Sequence, residues 1–189
     1  MAMPTRAARR FTYADYLTWD DDVRYELIDG VPVTMAGTSD GHQFAHQEIQ
    51  GQLYNYLRGK QCRLFSHNYD VRLNYDSLDN IVVQPDILVV CDLSKLDDKS
   101  CKGAPDLVIE ILSPSTSRRD KTIKHSLYEE AAVREYWIVD PKSRTVEVYI
   151  LQNGVYGSSI KYSEADTIAV HVLEGCTIEL CDVFVKLQT

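Results

Sequence analysis

The chain has 189 residues, of which 44% are hydrophobic and 25% are charged, and this composition is that of a globular protein rather than a disordered or fibrous one. Its length suits one domain, and no apolar stretch approaches the ~20 residues that a membrane span requires. The formal net charge of −8 argues against a large nucleic-acid footprint, because lysine and arginine supply most of the non-specific affinity for phosphate.

The cysteines and the chain start bear on the compartment. The five cysteines are odd in number and contain no CxxC pair, which predicts neither a disulfide framework nor a zinc site. We therefore expect reduced thiols in a cytosolic protein. Residues 1–10 are basic but lack the apolar middle of a secretory signal, so we expect a loose N-terminal arm, a single domain over 11–189 and a cytoplasmic location.

A short helix and a hairpin are predicted near the start of the chain. Residues 11–17 have a helical pattern, with Thr12 as the capping residue. Residues 25–35 contain two apolar runs around an Asp-Gly pair at 29–30, which is a strong signal for a two-residue turn. This second pattern predicts a hairpin with Glu26 on its first strand.

The middle of the chain predicts a helix followed by three strands. Apolar residues recur every four positions over 46–58, so we expect a helix with one apolar face that begins at His46. Strand-like segments follow at 69–75, 81–90 and 107–112. The last is apolar on both faces apart from one acid, a pattern typical of a central strand in a parallel or mixed sheet.

The remaining third predicts one helix and then a β-meander. Ser117 and Asp120 fit a capping box, which predicts a helix from there to about residue 132. Strands are expected at 135–140 and 145–151, and an Asn-Gly pair at 153–154 indicates another tight turn. The order of helices and strands indicates an α/β fold.

Glu110 is the most informative residue of the sequence. It is the only charged residue of the segment 107–112, and strand alternation places it on the same face as Val108 and Leu112. A carboxylate that leaves water without partners is costly or takes up a proton, so a cation, a metal ion or hydrogen-bond donors are expected beside it. The alternative is an acid at a strand end that meets an arginine.

Asp86 is a second lone acid within an apolar strand pattern, and Pro85 fixes the backbone just before it. Alone it is equally compatible with a turn aspartate that accepts backbone hydrogen bonds. Two such acids in neighbouring central strands suggest one shared site. A few carboxylate oxygens, completed by waters and substrate phosphate, are what Mg²⁺ takes in phosphoryl-transfer enzymes.

Lys124 is the predicted cationic partner of these acids. On an α-helix it falls close to a stripe made by Ile123, Leu127 and Ala131, and it would border the core. Asp120 lies one turn earlier, so an ion pair along the helix is the alternative. Three neighbouring basic residues are interpreted as exposed or phosphate-facing charges: Arg118, Arg119 and Lys121.

Several motifs match one known family in the same order. They are Tyr25-Glu-Leu-Ile-Asp-Gly30, His46, Pro85-Asp86, the segment from Pro105 to Thr116, and Tyr136-Trp-Ile-Val-Asp-Pro141. The chain resembles the Uma-two family, of the restriction-endonuclease-like PD-(D/E)XK nuclease superfamily, over about residues 11–151. The resemblance implies a restriction-endonuclease-like core, with a central mixed β-sheet flanked by helices (helix, three strands, helix, strand) and additional C-terminal β-strands.

The resemblance also implies roles for individual residues. Asp86 and Glu110 would bind the metal, which we expect to be Mg²⁺ or Mn²⁺, with the backbone carbonyl of Ile111 as a further ligand. The superfamily usually has a lysine two residues beyond the second acid, but Leu112 stands there. The Uma-two family is similar in this respect and takes its lysine from the following helix, at the position of Lys124.

Two further residues correspond to family positions. Glu26 resembles an acid of the first helix that supports the site, and His46 matches a histidine whose role is open. Catalytic roles are therefore expected for Glu26, Asp86, Glu110 and Lys124.

These residues predict a metal-dependent endonuclease that hydrolyses phosphodiester bonds in DNA, and the resemblance adds a homodimer without membrane association. The negative net charge and the missing strand lysine favour an alternative, a catalytically inactive nuclease-fold module for nucleic-acid binding or protein assembly. An unrelated metallohydrolase is the third possibility.

Overall fold

The computed structural model describes residues 9–20, 23–35, 37, 39–113 and 120–184. The helices in these ranges are α1 (Tyr13–Tyr16), α2 (Asp40–Leu57), a 3₁₀-helix (Leu93–Lys95), a π-helix (Asp120–Lys124), α3 (His125–Glu130) and α4 (Leu180–Val183). The strands are β1 (Tyr25–Ile28), β2 (Val31–Thr34), β3 (Arg63–Ser66), β4 (Asp70–Arg72), β5 (Val82–Val83), β6 (Ile87–Val90), β7 (Ser100–Lys102), β8 (Leu107–Ile111), β9 (Glu135–Asp140), β10 (Thr145–Gln152), β11 (Val155–Tyr156), β12 (Ile160–Ser163), β13 (Thr167–Ala169) and β14 (Thr177–Glu179).

The larger sheet carries the centre of the molecule. Its strand order is β11-β10-β9-β8-β6-β3, and β12 also pairs with β10. The central strand β8 runs antiparallel to β6 and parallel to β9, so the sheet is mixed, as predicted. A five-stranded sheet has the order β2-β1-β5-β4-β7, and β13 and β14 form a separate pair.

Both faces of the larger sheet are covered. Helix α2 places Ile49 and Leu53 against one face, in an apolar cluster that includes Ile109 and Trp137 of β8 and β9. On the other face, Val108 of β8 packs in a cluster with side chains of α3, β4 and β5. All five residues of β8 are buried, which confirms the predicted central strand. None of the helices in the described ranges is both long and apolar enough to cross a membrane.

The hairpin predicted near the N-terminus is confirmed. β1 and β2 pair antiparallel, with Glu26 opposite Val33. Asp29 and Gly30 connect them with φ values of 51° and 73°, the positive values that a type I′ turn requires at both central positions. Thr12 caps α1 in a capping box with Asp15, as the sequence predicted for the short first helix.

Two predicted boundaries are wrong. Helix α2 begins at Asp40 rather than at residue 46, because Ser39 caps it and accepts a hydrogen bond from the His42 amide. The single strand expected over 81–90 is two strands, β5 and β6, which belong to different sheets. Pro85 lies between them, where it cannot donate a ladder hydrogen bond.

The helix predicted after β8 has a different geometry from the one expected. Its capping residue Ser117 lies outside the described residues, and the described part begins with five residues of π-helix. The wider π-turn rotates the buried face away from the α-helical stripe. Ile123 is therefore 47% exposed, whereas Lys124 and Tyr128 are buried.

The prediction of reduced thiols is wrong for one pair of cysteines. Cys62 and Cys91 form a disulfide, while Cys101, Cys176 and Cys181 are free. The register of β3 and β6 pairs Arg63 with Val90, so the two cysteines lie opposite each other one step further along this ladder. Sequence spacing alone does not reveal such a cross-strand pair, because it arises from the register.

Candidate active site

Asp86 and Glu110 lie at the same end of two neighbouring central strands. The last antiparallel pair of β6 and β8 is Ile87 with Ile109, and one further step of this register sets Asp86 opposite Glu110. Asp86 lies just before β6, and its carboxylate accepts the backbone amide of Ile111, the residue after Glu110. The two acids that the sequence singled out thus lie at the same edge of the sheet.

Lys124 reaches this pair from the helix that follows β8. Its Nζ donates to Glu110 Oε1 at 2.8 Å and also lies 2.8 Å from Glu26 Oε1. All three side chains are buried: that of Glu110 is 5% exposed, that of Lys124 2% and that of Glu26 0%. A buried carboxylate needs a charge partner or hydrogen bonds, and here one ammonium group serves two of them.

Tyr128 completes the surroundings of Glu110. Its hydroxyl donates to Glu110 Oε1 at 2.6 Å, and its ring is fully buried one turn beyond Lys124. Burial and the neighbouring charge of Glu110 raise the pKa of Tyr128 well above its ordinary value, so the phenol stays protonated and remains a donor.

Glu26 is held by the smaller sheet. Its Oε1 accepts the backbone N–H of Gln84 at 3.1 Å. The Gln84 side chain in turn donates to Asp70 at 2.8 Å and accepts from Arg24 at 2.8 Å. Burial raises the pKa of Asp70, although hydrogen bonds from Gln84 and Tyr13 oppose this effect. Glu26 therefore lies on strand β1 of a supporting layer, rather than on a first helix.

Asp86 occupies the more open side of the site, with 13% of its side chain exposed. Its Oδ2 accepts the Ile111 amide at 2.8 Å and lies 3.2 Å from His42 Nε2. Burial disfavours the charged carboxylate, but the hydrogen bond and charge of His42, the Ile111 amide and the charge of Lys124 outweigh it and lower the pKa of Asp86. The geometry thus favours an ionised Asp86.

Two further histidines contact the same segment. His46 Nε2 lies 3.1 Å from the carbonyl oxygen of Asp86, and its ring stacks on that of His67 at 4.0 Å between centroids. His67 Nδ1 is 4.0 Å from Asp86 Oδ1, and its backbone has a φ of 30°. Burial is the main cause that lowers the pKa of both imidazoles, so they are neutral over a wider pH range than usual.

Sequence reasoning missed four contributors to the site: His42, His67, Gln84 and Tyr128. The spacing of His42 and His46 by one helical turn was the available signal, but the predicted helix began too late to reveal it. Tyr128 likewise lies four residues after Lys124. His67 and Gln84 reach the site because of a turn and the pairing of strands, and the sequence pattern reveals neither.

The basic residues near Lys124 have separate surroundings. Lys121 forms an exposed ion pair with Glu147 at 3.3 Å. His125 packs against aromatic rings, of which Tyr149 is the nearest at 4.7 Å between centroids. Arg118 and Arg119 lie outside the described residues, as does any contact made by the Asp120 side chain. Among the described residues, Lys124 is thus the ammonium group that contacts the acids.

A surface pocket of about 510 Å³ adjoins the end of β8. Its lining combines backbone at the start of α2 with two lysines and several small polar groups: Ser39, Gly41, Leu112, Ser113, Lys121, Asp140, Pro141 and Lys142. The pocket lies immediately beyond Ile111, whose amide contacts Asp86. It presents the ammonium groups of Lys121 and Lys142 together with the carboxylate of Asp140.

The donor set of the site fits a hard divalent cation. Lys124 contacts two of the three carboxyl groups, those of Glu26 and Glu110, and its charge helps to lower the pKa of the third, Asp86. Within the described ranges no cluster of three or more His, Cys, Asp or Glu side chains could hold an ion. Mg²⁺ does not need such a cage, since it usually takes one or two carboxylates and completes its shell with water and phosphate.

The family of the chain follows from comparison with known proteins. A family model described as "Uma2: Putative restriction endonuclease" matches residues 13–181. The chain belongs to the Uma2 family. This confirms the resemblance drawn from the motifs.

Two relatives of this Uma2 protein come from Synechocystis sp., and both carry the description "uncharacterized protein". One is 28% identical over 149 residues, which cover 77% of each chain. The other is 26% identical over 152 residues, which cover 78% of this chain and 84% of the relative. The similarity thus extends over most of this chain and most of each relative.

A crystal structure from Anabaena variabilis shares the fold. It is described as a putative nuclease belonging to DUF820, and it matches with a TM-score of 0.76 at 19% identity. The match covers 92% of this chain and 97% of that one. The α/β fold expected for a restriction-endonuclease-like protein is thereby confirmed.

Proposed function

We propose that this Uma2 protein is a divalent-metal-dependent endonuclease that hydrolyses phosphodiester bonds in DNA. The observation that supports this most is the position of Lys124, which contacts Glu110 at 2.8 Å, while Asp86 accepts the amide of Ile111, the residue after Glu110, at 2.8 Å. A lysine beside two strand acids is the arrangement of the PD-(D/E)XK superfamily, and here it comes from the π-helix rather than from β8.

Asp86, Glu110 and the backbone carbonyl of Ile111 would hold the ion. A bound Mg²⁺ or Mn²⁺ supplies Lewis-acid activation of the phosphodiester and of water. Lys124, fixed between Glu110 and Glu26, orients the attacking water or stabilises the negative charge that develops on the phosphorane. Glu26 acts through Lys124, because its contact holds the ammonium group at the acids.

The DNA substrate, a homodimer and a cytoplasmic location are part of the same proposal, although the Cys62–Cys91 disulfide removes the cysteine argument for that location. The overall charge of −8 limits non-specific affinity for DNA, so binding relies on local charge. The pocket next to β8 provides such charge through Lys121 and Lys142. Two copies of the site in a homodimer would cut both strands of a duplex.

The test is a cleavage assay with supercoiled and linear DNA in the presence of Mg²⁺ or Mn²⁺. Asp86→Asn and Glu110→Gln should each reduce cleavage by about 100-fold or more, the loss typical of removing an electrostatic group from an active site. Asp92→Asn is the matched control, because Asp92 is an exposed acid that caps the 3₁₀-helix far from the site, and it should cleave like the wild type.

Equal cleavage by the wild type and both site variants would refute the assignment. A folded wild-type protein that cuts neither DNA nor RNA with either metal would instead identify the inactive nuclease-fold module. Sedimentation equilibrium of the wild type tests the homodimer, which a monomer at all concentrations would contradict.

A further inference from the structure

His42 is a buried residue of the site to which the proposed reaction assigns no role. Its Nε2 lies 3.2 Å from Asp86 Oδ2, and the same oxygen accepts the Ile111 amide at 2.8 Å. Two donors therefore converge on Oδ2 and fix the rotation of the carboxylate. The other oxygen, Oδ1, lies 4.0 Å from His67 Nδ1, which is beyond hydrogen-bond distance.

Packing alone does not account for an imidazole at position 42. The second ring nitrogen, Nδ1, is buried and has no hydrogen-bond partner among the described residues. A buried polar atom without a partner destabilises the folded state, so a leucine would be favoured here if only the core mattered. Because an ionised carboxylate oxygen can only accept, this contact requires a hydrogen on Nε2.

Helix α2 holds Asp86 at two points. His42 lies in its first turn and contacts the side chain of Asp86, while His46, one turn later, lies 3.1 Å from the carbonyl oxygen of the same residue. Histidines four residues apart project from the same side of an α-helix. One 18-residue helix thus fixes the position of both the backbone and the carboxylate of Asp86.

We propose that His42 is a positioning residue, which orients the Asp86 carboxylate so that Oδ1 is presented to a divalent metal ion. This inference rests on the proposed function in that it takes Asp86 as a ligand. Hydrogen-bond partners that orient a metal ligand are typically worth 10- to 100-fold in metal affinity. The donor at Nε2, rather than the shape of the ring, carries the effect.

The experiment measures Mn²⁺ binding to the full-length protein without DNA, by electron paramagnetic resonance of the free ion and by calorimetry. His42→Leu removes the donor and should weaken binding by about 10- to 100-fold. His42→Gln places an amide N–H near the position of Nε2 and should restore most of the affinity. His171→Leu removes an exposed imidazole near Glu135, remote from Asp86, and should bind like the wild type.

The outcomes separate the inference from the proposed function. Wild-type affinity in His42→Leu would overturn the inference, and so would equally weak binding by His42→Leu and His42→Gln. If His42→Leu does not fold, His42→Asn replaces it, because its shorter amide does not reach the Nε2 position. The expected affinity pattern without any DNA cleavage would overturn the nuclease alone, whereas a wild type that binds no Mn²⁺ would overturn both.

Discussion

Glu110 and Glu135 are two buried carboxylates on the same pair of parallel strands, yet their surroundings differ in kind. The register pairs Leu107 with Glu135 and Glu110 with Ile138, so the two acids are three steps, or about 10 Å, apart along the ladder. Glu135 accepts hydrogen bonds from neutral donors, among them the indole N–H of Trp137 at 2.7 Å, the Val172 amide at 2.9 Å and the backbone N–H of His171. Glu110 instead accepts hydrogen bonds from the ammonium group of Lys124 and the phenol of Tyr128.

This comparison shows that burial of an acid does not by itself indicate chemistry. At the Glu135 end, burial raises the pKa of the carboxyl group because no cation of the described residues compensates its charge fully. The disulfide between Cys62 and Cys91 lies beyond Val90, towards the same end of the sheet. The Glu135 end has the features of a stabilising region, whereas the Glu110 end is the proposed catalytic region.

Removal of Lys124 should produce the largest effect. Lys124→Met leaves Glu26 and Glu110 buried without their shared cation, which typically costs 3–5 kcal/mol, so the free energy of unfolding should fall by about this amount. Urea denaturation followed by circular dichroism measures it. Lys121→Met, which breaks an exposed pair, should change it by less than about 1 kcal/mol.

A double variant sharpens this result. Lys124→Met with Glu26→Gln removes one of the two uncompensated carboxylates and should recover part of the lost stability. If Lys124→Met were as stable as Lys121→Met, the ion pair would not stabilise the Glu110 end.

Opening the disulfide should affect stability without affecting the site. The chain-entropy model assigns about 3–4 kcal/mol to a cross-link of residues 29 apart, which is an upper value for the loss in Cys62→Ser with Cys91→Ser. Mn²⁺ affinity should not change, because the disulfide and Asp86 lie at opposite ends of β6. The control is Cys181→Ser, which alters an exposed free thiol. A loss of metal affinity would show that the two ends are coupled.

Glu135→Gln should have a smaller effect on stability. The amide keeps one acceptor but turns its NH₂ group towards a donor, so about one buried hydrogen bond is lost, with a cost of about 1–3 kcal/mol. DNA cleavage should remain at the wild-type level, in contrast to Glu110→Gln. Cleavage that falls equally in both variants would remove the distinction between the two ends.

The smallest expected effect is a pH dependence of stability that comes from the raised pKa of Glu135. Its pKa is higher in the folded than in the unfolded protein, so the folded state binds more protons and its stability falls as pH rises from about 4.3 through the folded pKa. Glu135→Gln should lack this decline. Urea denaturation of both proteins at a series of pH values measures it, and parallel curves would contradict the raised pKa.

The features that sequence could predict are those that local pattern determines. Glu110 was visible because it interrupts an apolar strand, and the Asp29-Gly30 turn was visible because both positions need positive φ. Lys124 was expected to face inward for a reason that proved wrong, since the α-helical stripe with Ile123 does not exist in a π-helix. Lys124 does contact Glu110, but the helical geometry that brings it there could be seen only in the structure.

The features that sequence could not predict depend on register or on distant elements. Cys62 and Cys91 pair because β3 and β6 align in one register, and 29 residues of separation contain no hint of it. His42 stands in a polar stretch that conceals the start of α2, so its contact with Asp86 appears only once the helix packs on the sheet.

The ion pair of Glu26, Lys124 and Glu110 joins segments that are far apart in the chain, since Glu26 and Lys124 are separated by 124 − 26 = 98 positions. During synthesis both acids leave the ribosome before the lysine, and the stretch that pairs β9 with β8 follows later still. A nascent chain or one released before residue 124 therefore carries the acids without their cation. The proposed enzyme would stay inert until Lys124 and strand β9 have been synthesised, so a chain that terminates before them is an inactive product rather than an uncontrolled nuclease.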